Sequence, residues 1–71
     1  MGEKQLSKKM LFEIAIKYVE KGYNTEDLRY GDDLYDASPE NIKECIEIFH
    51  EIRENGLKWA NEHVKTLKTL Y

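Results

Sequence analysis

The apolar residues between Leu6 and Tyr23 recur at helical spacing on two sides of one segment, and this breadth constrains the fold more than any other feature. One side contains Met10, Leu11, Ile14, Ala15 and Tyr18, and the other contains Phe12, Ile16, Val19 and Tyr23. At about 100° per residue the apolar face covers roughly 240° of a helix, whereas an ordinary surface helix needs little more than about 100°. The helix that we predict over residues 4–22 therefore needs more than one neighbour.

Ser38-Pro39-Glu40 predicts the beginning of a second helix, with a capping hydroxyl, a proline at the first position and a carboxylate near the positive helix end. An apolar stripe with steps of three or four follows, interrupted at Arg53; it consists of Ile42, Ile46, Phe49, Leu57, Ala60, Val64, Leu67 and Tyr71. Because the stripe keeps its phase across Asn55-Gly56, we predict one long helix over residues 39–70. The alternative is a break at Gly56 that folds residues 57–70 back as a third helix.

Residues 23–37 form an acidic connector that is rich in turn formers. Thr25, followed by Glu26 and Asp27, has the pattern of a helix N-cap, so we predict one short helical turn that ends at Gly31. We expect the apolar residues of the connector to attach it to the core; they are Leu28, Tyr30, Leu34 and Tyr35.

The two predicted helices, at about 27 and 48 Å, differ too much in length for one to cover the other. An antiparallel hairpin would leave the end of the second helix uncovered, although each large apolar side chain there is worth roughly 1.5–3 kcal/mol when buried. We therefore predict an all-α helical hairpin that dimerises into a helical bundle. The predicted dimer or partner interface consists of Phe12, Ile16, Val19, Leu57, Trp59, Val64, Leu67 and Tyr71.

With 71 residues the chain is expected to form a single helical domain, 1–71, which buries only roughly 60% of the surface of its unfolded form. Cys45 is the only cysteine, so an intrachain disulfide is excluded. A single thiol fits a reducing compartment, and no apolar run approaches the ~18 residues of a membrane span. We expect a cytoplasmic protein without a membrane partner.

The formal net charge of −3 conceals an uneven distribution: residues 1–23 carry +2, residues 24–55 carry −7 and residues 56–71 carry +2. Such an acidic middle disfavours nucleic acid as a partner, because binding to nucleic acid depends mainly on neutralising phosphates. Five glutamates lie at helical spacing in the second helix and are named here the acidic ridge: Glu40, Glu44, Glu47, Glu51 and Glu54. The ridge is typical of a surface that binds a protein partner with a basic surface, or of a merely solvated helix face.

No group of residues in the sequence predicts catalysis, a metal or a cofactor. Glu47 and His50 have the Glu-x-x-His spacing of di-metal bundles, but both point away from the apolar stripe and no second copy of the motif occurs. The connector aspartates lack the spacing of a calcium loop. Cys45 lies within the apolar stripe, where burial raises the pKa of a thiol and weakens it as a nucleophile.

These patterns predict a small non-enzymatic interaction protein that acts as a regulator or inhibitor through protein–protein contact. Compact chains of this kind are commonly encoded by phages and mobile elements. The alternative is a dimeric DNA-binding regulator with a helix-turn-helix-like segment at 25–50, in which Ser38-Pro39-Glu40 opens the recognition helix.

Overall fold

A computed structural model describes residues 6–67 of the chain. In that range the regular structure is helical, which confirms the all-α prediction. The elements are α1 (Lys8–Glu20), α2 (Thr25–Arg29), a 3₁₀ turn (Asp32–Leu34), α3 (Pro39–Asn55) and α4 (Leu57–Thr66).

Local signals in the sequence fix both ends of α1, which is shorter than the predicted 4–22. The Ser7 hydroxyl caps the helix by accepting from the Met10 N–H at 3.2 Å. Gly22, with φ of 78°, ends it in a left-handed conformation that glycine tolerates without strain. The Tyr23 N–H then donates to the Tyr18 carbonyl at 3.0 Å, and the two rings lie 5.3 Å apart. This is the Schellman arrangement with its accompanying hydrophobic contact.

The connector contains the predicted helical turn, but Asn24 and not Thr25 caps it. Asn24 and Asp27 form a reciprocal capping box, in which the side chain of each accepts from the backbone N–H of the other. The prediction that four apolar residues attach the connector to the core is half wrong. Leu28 and Leu34 are fully buried, whereas both tyrosines, at positions 30 and 35, are exposed.

The predicted long helix over residues 39–70 is wrong, because the structure divides it at Gly56. There φ is 99° and ψ is 158°, a conformation open essentially to glycine alone. The Gly56 N–H still donates to the Ile52 carbonyl at 2.7 Å, and its carbonyl accepts from the Ala60 N–H at 3.1 Å. The break thus costs few hydrogen bonds, and the molecule is 37 Å in its longest dimension instead of the ~48 Å of an unbroken helix.

The break allows α4 to fold back against α1, which replaces the predicted hairpin with a three-helix packing of α1, α3 and α4. The wide apolar face of α1 is covered by α3 on one side and by α4 on the other. The buried core consists of Leu6, Leu11, Phe12, Ala15, Ile16, Tyr18, Leu28, Leu34, Ala37, Cys45, Ile48, Phe49, Ile52 and Ala60. The burial of α4 against the core stabilises this folded-back arrangement. The spacing of the apolar stripe alone does not reveal that contribution.

Candidate interaction surface

The acidic ridge lies on the face of α3 that points away from the core. Glu40, Glu47, Glu51 and Glu54 are exposed, and Glu44 is partly exposed. The opposite face of the helix is buried; its members are Asn41, Cys45, Ile48, Phe49 and Ile52. The structure therefore brings the five predicted glutamates together on one side of a single helix.

The beginning of α3 is held rigidly by two hydrogen bonds that involve buried polar side chains. The Ser38 hydroxyl accepts from the Asn41 N–H at 3.2 Å, and Pro39 occupies the first turn, both as predicted. The Asn41 carboxamide oxygen accepts from the Leu6 N–H at 2.8 Å, which ties the segment before α1 to α3. A buried polar group with its partner in place fixes geometry, so the ridge stands on a well-anchored helix.

A groove lies beside the acidic ridge, between α3 and the connector. Its volume is about 890 Å³. Its lining is largely aromatic and aliphatic with two cations and one carboxylate: Arg29, Tyr30, Leu34, Tyr35, Pro39, Ile42, Lys43, Ile46 and Glu47. Glu47 belongs to both surfaces, so the groove and the ridge are continuous along α3.

Sequence reasoning missed this groove because it assigned both connector tyrosines to the core. Tyr30 is 78% exposed and Tyr35 is 84% exposed. A signal was present: each tyrosine follows or precedes a charged residue in a segment with few apolar residues, where a phenol with a polar tip is stable at the surface. Aromatic residues at the surface beside charge are typical of interfaces.

Most of the residues predicted to form a dimer or partner interface are instead covered by other parts of the same chain. Phe12 is 1% exposed and Ile16 is 8% exposed. The others that the structure describes are partly buried and pack against the core: Val19, Leu57, Trp59, Val64 and Leu67. Tyr71 lies outside the described residues. The wide α1 face and the uncovered helix end, which motivated the dimer prediction, are both accounted for by the contact between α1 and α4.

Three rings form the centre of that contact. The His63 ring stacks on Phe12 with centroids 4.8 Å apart and on Trp59 with centroids 5.1 Å apart. Phe12 and Trp59 are 6.1 Å apart and tilted. His63 is half-buried at the edge of the core, and its ring contributes to the packing between α1 and α4.

The connector is also held to α1 by charge. The Lys17 ammonium lies 2.7 Å from the Asp33 carboxylate, and this contact raises the pKa of Lys17. Burial, and then the charge of Asp33, raises the pKa of the neighbouring Tyr18. A side chain at Gly31 would clash with the Tyr18 hydroxyl and approach the Asp27 carbonyl to 2.9 Å, so the connector needs glycine there. These contacts hold the connector against α1 beside Leu34 and Tyr35, which line the groove.

Cys45 is fully buried under α1, where its thiol donates to the Leu11 carbonyl at 3.5 Å. Burial raises the pKa of the thiol to about 12, so the nucleophilic thiolate is strongly disfavoured. Glu47 and His50 are both exposed, and residues 6–67 contain no cluster of three groups suited to a metal ion. Among the connector aspartates, Asp27 caps α2 and Asp33 pairs with Lys17. None of the helices in the described part of the chain is long and apolar enough to span a membrane.

No protein-family model matches this chain, and neither a curated protein nor a solved structure matches it significantly.

Proposed function

We propose that this chain is a non-enzymatic interaction protein that acts as a regulator or inhibitor by binding another protein through its acidic ridge. One observation carries the proposal: five carboxylates share the outward face of a 17-residue helix whose inward face forms the core. Because the helix is already folded and capped, presenting these charges to a partner costs little conformational entropy.

The chemistry of the ridge favours a partner with a basic surface. A row of carboxylates on a rigid helix steers a positively charged protein toward it and fixes the orientation of the complex more than it adds affinity. A ridge of this shape suits a basic groove such as those that bind nucleic acids. Binding would then block the groove, which is the inhibitory action that we propose, in a cytoplasmic and phage-encoded or mobile-element-encoded setting. The buried, free Cys45 suits a reducing compartment.

The test is photo-crosslinking in the host cell from position 50, where His50 is exposed beside the ridge. A photoreactive residue there should give an adduct with a protein other than this chain. The triple substitution Glu44→Lys, Glu51→Lys and Glu54→Lys should abolish the adduct, because it reverses most of the ridge without touching the core.

A matched control carries the same change of net charge on other helices: Glu13→Lys, Glu20→Lys and Glu62→Lys, all at exposed positions. This control should retain the adduct. An adduct that survives ridge reversal rejects the ridge as the binding surface. Equal loss in both triple variants indicates a response to net charge alone and rejects it as well.

The DNA-binding alternative has less support in the geometry. Its first helix is reduced to the five residues Thr25–Arg29, and the outward face of its recognition helix is the acidic ridge. Phosphates would be repelled by that face. An electrophoretic mobility shift with duplex DNA at low salt, weakening steeply as salt is raised, would favour this alternative over the ridge.

A further inference from the structure

The groove beside α3 exposes more aromatic surface than any other part of residues 6–67. Four large hydrophobic residues in that range are classed as exposed, and the two most exposed, Tyr30 and Tyr35, both line the groove. Ile42 and Ile46 form the floor on the α3 side and are only partly buried. An apolar surface of this kind beside a polar rim is typical of a protein contact.

The rim of the groove has a regular charge pattern. Lys43 and Glu47 are one helical turn apart, as are Ile42 and Ile46 beside them. Within the described range, Lys43 and Glu47 form no ion pair with each other; the salt bridge seen there joins Lys17 to Asp33. Lysine before glutamate is also the weaker order for a pair within one helix. Both charges therefore remain available to a second molecule.

We propose that the groove is a self-association surface, occupied by α3 of a second copy of this chain in antiparallel orientation. A twofold axis that crosses α3 near residues 44 and 45 brings Lys43 opposite Glu47 of the partner subunit, and Glu47 opposite the partner's Lys43. The same operation brings Ile42 against the partner's Ile46. Apolar residues thus meet apolar residues and opposite charges meet, in both directions at once.

Charge complementarity favours this occupant over an unrelated protein. The groove carries both signs on its rim, with Arg29 and Lys43 against Glu47, and a mixed pattern with a one-turn repeat is complementary to itself. The charge repeat alone does not identify a self-association surface. Lys58 and Glu62 have the same order and spacing on the exposed face of α4, but they line no apolar groove among the pockets described. The inference does not depend on the proposed function of the acidic ridge, and it moves the predicted dimer contact from α1 and α4 to α3.

The test is sedimentation equilibrium on four samples from micromolar to millimolar concentration: wild type, Lys43→Glu, Glu47→Lys and an equimolar mixture of the two variants. Wild type should dimerise. Each single variant should dimerise at least about tenfold more weakly, because like charges then face each other twice across the axis. The mixture should recover the wild-type affinity, because positions 43 and 47 of α3 are then both acidic in one subunit and both basic in the other, so opposite charges meet again across the axis.

The matched controls are Lys58→Glu and Glu62→Lys, which make the same substitutions at the same spacing on α4 and should leave the dimerisation constant unchanged. Circular dichroism verifies that each variant is folded, and recovery in the mixture shows it independently. Three outcomes would overturn the proposal. They are a wild type that stays monomeric, dimerisation that neither α3 variant weakens, and weakened variants that the mixture does not rescue. The first outcome would leave the groove to a different protein, and the last would reject the antiparallel pairing of Lys43 with Glu47.

Discussion

The α1–α4 contact and the groove beside α3 are both rich in aromatic residues, yet one is closed and the other is open. The His63 ring of α4 stacks on Trp59 and on Phe12 of α1, while Tyr30 and Tyr35 are exposed to solvent. On the closed side α4 folds over α1, whereas on the open side the short connector packs against α3 and leaves both tyrosines uncovered. Aromatic content therefore does not decide which surface of this chain is core; the availability of a covering helix does.

The difference also separates the aromatic residues that stabilise the fold from those that remain available for binding. Rings in the closed contact lose water on folding and stabilise the fold, whereas the groove tyrosines contribute little until another molecule covers them. Substitutions on the two sides should accordingly have different effects, and four experiments test this.

Phe12→Ala should lower the free energy of unfolding by about 3–5 kcal/mol, because it empties the centre of the closed contact. The matched change on the open side, Tyr35→Ala, should lower it by less than about 0.5 kcal/mol. Urea denaturation at low protein concentration measures both. Equal losses in the two variants would contradict the distinction between closed and open sides.

Gly56→Ala should lower the free energy of unfolding by about 1–3 kcal/mol, because alanine is strained at φ of 99°. Apart from Gly56 itself and its two neighbours in the chain, no residue lies within 4 Å of the position that an added Cβ would take, so tertiary crowding does not contribute. Thermal denaturation measures the loss. If Gly56→Ala leaves the free energy of unfolding unchanged, the backbone conformation at Gly56 is not what allows α4 to fold back against α1.

Cys45→Ala should make the free energy of unfolding depend less steeply on pH in the alkaline range. The folded pKa of about 12 lies above the ordinary 9.0, so the folded state retains the thiol proton longer than the unfolded state does. Stability from this thiol is complete below pH 9 and is lost as pH rises toward 12, by about 1.4 kcal/mol per pH unit. Urea denaturation at pH 8, 9 and 10 in both proteins isolates the effect, because the ionisations of Lys17 and Tyr18 are common to them. Parallel profiles would show that water reaches Cys45 between α1 and α3.

Asp33→Asn should have the smallest effect, a loss of about 0.2–1 kcal/mol that shrinks in high salt, because the pair with Lys17 is partly exposed. The substitution tests the open side, because the pair holds the connector to α1 beside Leu34 and Tyr35, which line the groove. Amide hydrogen exchange over residues 25–35 should become faster while exchange in α1 and α4 stays constant. Uniform acceleration across all helices would show that the pair supports the whole core instead of the groove wall.

Local signals let the sequence predict much of the helix pattern. The cap at Ser38 and Pro39, the helical turn that ends before Gly31 and the burial of Cys45 are all present in the structure. Each depends on neighbours within a few residues or on a single apolar stripe. The sequence pattern likewise placed the five glutamates on one face, because the period of a helix fixes that geometry.

Two features depended on contacts that no local pattern reveals. The unbroken phase of the stripe through Gly56 favours one long helix, and the packing of α4 on Phe12 is what favours the break. The exposure of Tyr30 and Tyr35 likewise depends on how the connector packs against α3.

The sequence by itself therefore determined helix type, caps and the faces of each helix, because these follow from short-range geometry. The tertiary structure decided which apolar face is covered and which is left open. The outcome depends on whether the free energy gained by burying α4 exceeds the cost of the backbone conformation at Gly56. That balance includes contacts throughout the core, so no local sequence pattern determines it.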